Sequence, residues 1–215
     1  MSSVRLLLAG FVALALVSTA GAQRSFEEAV LPLPQYRAAD ARALAEAHAA
    51  ELRRLYDDVR RCVPELDFFQ PGIGFRKPRG KPQLSPHLSI WMIADESVGP
   101  GGGDFGARAA DAFERYGGRL LARLLARDPV RTDGRVGGYG LVLTWLRSRG
   151  DERMGETMVV FIDTASATGF AGGALGARDL LARADIRLFE GDVEKARIPI
   201  PVDDAKMRPG ADGCS

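Results

Sequence analysis

Two aspartates, two histidines and one glycine-rich loop are the residues whose types and spacing could do chemistry. Asp95 and Asp163 each follow a strongly apolar run, residues 91–94 and 160–162. If those two strand ends were adjacent, the carboxylates could bind a cation or divide acid and base roles, with Glu96 or Asp104 nearby. The plainer use of both is as caps and turn acceptors. His87 opens an apolar segment after Pro86 and is the better acid–base candidate of the two histidines. His48 falls in register with an apolar helical stripe, so it reads as a partly buried imidazole with a local hydrogen bond. Two histidines are too few for a His-rich zinc site, and neither a metal nor a cofactor is expected.

Gly101, Gly102, Gly103 and Asp104 form the most ligand-like loop, because consecutive backbone amides ahead of a helix attract anions. The loop lacks the Lys-Ser/Thr ending of a nucleotide loop and the spacing of a dinucleotide fingerprint. Asp104 would repel a phosphate there, and as an N-cap it makes the loop a strand-to-helix turn. Thr164, Ser166 and Thr168 put hydroxyls just after Asp163, but no Gly-x-Ser-x-Gly elbow surrounds them. Trp91, Tyr139 and Trp145 read as core or sheet-face aromatics, of which one exposed ring would serve a binding surface.

The compartment follows from the first residues. Arg5 precedes an apolar run over 6–17, and Ala20-Gly21-Ala22 fits a small-x-small cleavage pattern, so residues 1–22 read as a removable signal peptide. The apolar run is too short for a retained anchor, and no later segment is long enough to span a bilayer. A periplasmic or secreted protein is therefore expected. Cleavage leaves 193 residues with 28 basic and 28 acidic side chains, a balance that offers no long-range attraction for nucleic acid. An oxidising destination permits a disulfide between the only two cysteines, Cys62 and Cys214, which would tie down the C-terminal tail.

The elements that must position these residues form an α+β pattern, with about five strands in a largely antiparallel sheet packed against two main helices. Ala41, Ala45, His48, Leu52, Leu55, Val59 and Cys62 recur at helical spacing, with Glu51, Arg54, Asp58 and Arg61 facing outward. A long connection rich in Pro and Gly follows over 65–86. The dense apolar run 87–94 reads as an interior strand. The second helix covers 105–126, and Gly117-Gly118 bends or splits it. Residues 139–146 and 158–162 read as one hairpin, and 186–189 with 193–200 as another around Gly191-Asp192. Residues 164–176 look like a loop and 177–182 like a short helix. The domain thus runs over 23–200, followed by an extended tail over 201–215.

No coherent catalytic set emerges. The leading expectation is an exported, non-catalytic binding or envelope-associated structural module, whose partner is an envelope protein or a small ligand. The alternative is a periplasmic hydrolase or metal-dependent enzyme using Asp95, Asp163 and Asp104 with His87. An open sheet edge would allow a homodimer.

Overall fold

The computed structural model describes residues 24–78, 83–95, 99, 101–149 and 152–196. The segments expected to be a signal peptide, 1–22, and an extended tail, 201–215, lie outside them. The fold is α+β, as the sequence pattern indicates, but the sheet has six strands and more than two helices pack on it. In spatial order the strands are β1 (Asp67–Arg76), β2 (His87–Ala94), β3 (Gly138–Arg149), β4 (Glu152–Asp163), β5 (Asp185–Glu190) and β6 (Val193–Ala196). All neighbours pair antiparallel except β2 and β3, which run parallel and need a long crossover.

That crossover carries α4 (Phe105–Ala112), a π-helical turn at Phe113–Gly117, α5 (Gly118–Leu125) and the short α6 (Asp128–Arg131). The split expected at Gly117-Gly118 is therefore a widened turn. A Cβ at Gly117 would lie 2.5 Å from the Phe113 ring, so only glycine lets that ring lie against the helix there.

The first helical pattern divides at His48 into α2 (Ala39–Ala47) and α3 (Ala49–Cys62). Every member of the apolar stripe is buried across the break. Glu51 is buried as well, contrary to its expected outward position, and accepts a hydrogen bond from Arg54. Residues 67–76, read from sequence as connection, form β1. The Pro71 and Gly72 that suggest a loop sit in a register shift between Phe68 and Ile73. Residues 164–171, also read as loop, form α7 (Thr164–Ala171), and α8 (Ala177–Arg183) follows.

Alternation divides the sheet into two unlike faces. Leu88, Ile90 and Met92 of β2, Tyr139, Leu141, Leu143 and Trp145 of β3, and Met158, Val160 and Ile162 of β4 are all buried under the helices. The opposite face shows Trp91, Ile93, Val142, Thr144, Val159 and Phe161, all half-buried.

The expected Cys62–Cys214 disulfide is not part of what the structure describes: Cys62, buried at the end of α3, is the one cysteine among the described residues, where no Sγ–Sγ contact is present, and Cys214 lies outside them. Among the described residues no helix is long and apolar enough to cross a membrane.

Candidate functional site

The strand directions decide which candidate residues meet. The parallel pairing of β2 with β3 and the antiparallel pairing of β3 with β4 put His87, Gly138 and Asp163 in one row at one end of the sheet. Asp95 follows Ala94 at the other end, and at about 3.3 Å per residue the two carboxylates stand roughly 25 Å apart along the strands. A shared Asp95–Asp163 site is thus ruled out by register.

At the first end, the His87 imidazole lies over Gly138, where a Cβ would come within 2.9 Å of Nε2. The ring is edge-on to Phe161 at 6.0 Å, and Nδ1 lies 3.1 Å from the Ser85 carbonyl oxygen. Burial pushes the His87 pKa down, opposed by the Ser85 hydrogen bond and by Asp163. Asp163 itself caps α7, accepting from Ser166 N at 2.8 Å and Ser166 Oγ at 2.7 Å. Burial alone would raise its pKa, but these bonds outweigh that and lower it. The Ser166 hydroxyl donates to Asp163 rather than to an imidazole, so the His–Ser relay of a hydrolase is not assembled.

At the second end, the glycine-rich loop works as a turn. Gly103 takes a φ of 97°, Asp104 caps α4 by accepting from Ala107 N at 2.8 Å, and Gly101 N donates to Asp111 at 3.2 Å. Two carboxylates thus occupy the loop that an anion would need. Beneath it sits a buried ion pair that sequence reasoning missed. Arg108 Nε donates to Glu156 Oε2 at 2.8 Å, its Nη1 to the Gly103 carbonyl, and Trp145 Nε1 to Glu156 Oε2 at 2.7 Å. The Arg108 and Glu156 side chains are 5% and 3% exposed. Burial alone would raise the Glu156 pKa, but the bonds from Arg108 and Trp145 lower it. This cluster ties the loop to the sheet.

His48 also finds a distant rather than a local partner. Its Nε2 lies 2.9 Å from Asp133 Oδ2, which pins the α2–α3 break to the loop before β3. Asp133 is held well below the usual carboxylate range, first by Arg135 and then by His48.

The outer face of the sheet brings aromatic and cationic side chains together. Phe69 is 45% exposed and tilts against the half-buried Trp91, with ring centres 5.9 Å apart. The Arg76 guanidinium lies over the same Trp91 ring, 4.5 Å from its centre. Pro71 lends a carbonyl to Arg76 Nη2 at 2.8 Å, and Gly72 packs so closely that a Cβ would fall 2.6 Å from the Trp91 carbonyl oxygen. The irregular stretch of β1 therefore builds this aromatic–cation arrangement. Phe69 and Arg76 stand in a stretch that the sequence reads as connection, and their register with Trp91 depends on the bulge.

A separate groove of about 300 Å³ lies between the N-terminal lead and α2–α3, lined by Phe26, Val30, Leu31, Leu33 and Leu52 with Glu27. It has few polar groups to orient a ligand. Among the described residues no three His, Cys, Asp or Glu side chains gather as metal ligands. No family model, curated protein or solved structure matches the chain.

Proposed function

We propose that the protein is an exported, non-catalytic binding module whose ligand surface is the outer face of the sheet around Phe69 and Trp91. The supporting observation is the asymmetry of the sheet: among the described residues one alternation of β2, β3 and β4 is buried, while the other presents half-buried aromatic and β-branched side chains with an exposed phenylalanine at their edge. Such apolar patches on an otherwise charged surface mark interaction sites. The hydrolase alternative loses its geometric basis, because Asp163 and Asp104 act as helix caps and Asp95 stands at the opposite end from His87.

Native mass spectrometry of the protein purified from the cell envelope tests this reading. A bound mass retained by the wild type and lost in F69S supports it. Turnover of a hydrolase substrate panel that is abolished by H87Q and untouched by F69S would replace it with the enzyme. Sequencing the mature N-terminus tests export, with Gln23 as the expected first residue.

A further inference from the structure

Arg76 stands out among the cations of the described fold. Its neighbour Lys77 is paired with Asp40 at 2.7 Å, and the enclosed Arg108, Arg127, Arg131 and Arg187 have carboxylate partners. Among the described residues Arg76 has no carboxylate partner, and it lacks full access to water. Its Nη2 donates to the Pro71 carbonyl, its Nε is enclosed with no hydrogen-bond partner, and burial lowers its pKa. A half-desolvated guanidinium without a counter-charge is unfavourable unless something supplies the charge. Its guanidinium carbon lies over the Trp91 ring, 4.5 Å from the centre, and that ring meets the exposed Phe69 ring at 5.9 Å between centres, which leaves Nη1 as the other donor without a protein partner among the described residues.

We infer that Arg76 is the anion-recognition residue of the outer face, and that the ligand is an organic carboxylate with a flat apolar body. The carboxylate would accept from Arg76 Nη1 while the body covers Phe69 and the edge of Trp91. Charge-assisted hydrogen bonds of this kind are stronger than neutral ones, more so beside a ring that excludes water. The inference rests on the outer face being the ligand surface, and it adds the ligand's charge and shape.

The test is a titration of the purified protein with phenylacetate and, separately, with its neutral isostere phenylacetamide, followed through the Trp91 indole N–H resonance. A saturable shift with phenylacetate, at least about tenfold tighter than with the amide, is expected. R76M should remove that preference while leaving the melting temperature unchanged or higher, because it replaces an unpaired cation with an apolar chain that still packs on Trp91. A lower melting temperature in R76M with an intact preference would make Arg76 structural and overturn the inference. Equal binding of acid and amide would overturn it while leaving the outer face as the ligand surface. Silence of the Trp91 resonance toward both probes would also overturn it.

Discussion

His87 and the Arg108–Glu156 pair are the individual residues whose ionisation and removal have the clearest consequences. Because burial lowers the His87 pKa below its ordinary 6.5, the unfolded chain takes up a proton there before the folded one does. Stability from this group is therefore present above about pH 6.5 and falls as the solution is acidified below it. Thermal melts at pH 7.5 and 5.5 should show a loss in the wild type that is smaller in H87Q. Glu156 has the opposite chemistry and a lower window. Its lowered pKa gives stability that is complete above its ordinary 4.5 and is lost as pH falls through the folded value. Arg108→Ala leaves Glu156 buried without its cation and should cost about 3–5 kcal/mol in urea unfolding. Little of this was legible in the sequence. Arg108 and Glu156 are 48 positions apart and resemble any two surface charges until α4 is laid over the end of β4. His48 was readable as buried, since it holds a stripe position, but its Asp133 partner was not.

At the level of elements, glycine positions separate turns from close packing. Gly138 starts β3 with a φ of 154°, and a Cβ there would fall 2.2 Å from the Ile162 carbonyl oxygen and 2.8 Å from the His87 ring. Gly138→Ala should lower stability by about 2–3 kcal/mol in denaturant titration. Gly101 and Gly102 meet nothing within 4 Å, so alanine at either should change stability by less than about 0.5 kcal/mol. Gly103→Ala should cost about 1–2 kcal/mol for its left-handed backbone. That contrast marks the loop as a turn rather than an anion cradle. The β3–β4 hairpin was legible because Tyr139, Leu141, Leu143 and Trp145 alternate with smaller or outward residues, and each of the four is buried. β1 was hidden because Pro71, Gly72 and Gly74 are turn-formers by type, yet the register shift accommodates the first two and Gly74 gives room to Tyr36. α7 was hidden by small and hydroxylated residues with no apolar period; its start is set by the Asp163 cap instead.

For the whole molecule, the sequence carried the α+β class and the two hairpins, but it could not reveal which alternation of the sheet the described helices bury. That fact depends on the crossover between the parallel strands β2 and β3 and on where α7 and α8 fold back, which are long-range choices. The outer face then collects Trp91 from β2, Val142 and Thr144 from β3, Val159 and Phe161 from β4, and Phe69 and Arg76 from β1. None of these was marked by a motif. The most direct test of this surface as the ligand site is hydroxyl-radical footprinting of the envelope-purified protein before and after its bound ligand is stripped. Stripping should raise labelling at Phe69 and Trp91 and leave the loop from Gly101 to Asp104 unchanged. Changes confined to His87 or to that loop, with Phe69 and Trp91 labelled equally in both samples, would contradict the account.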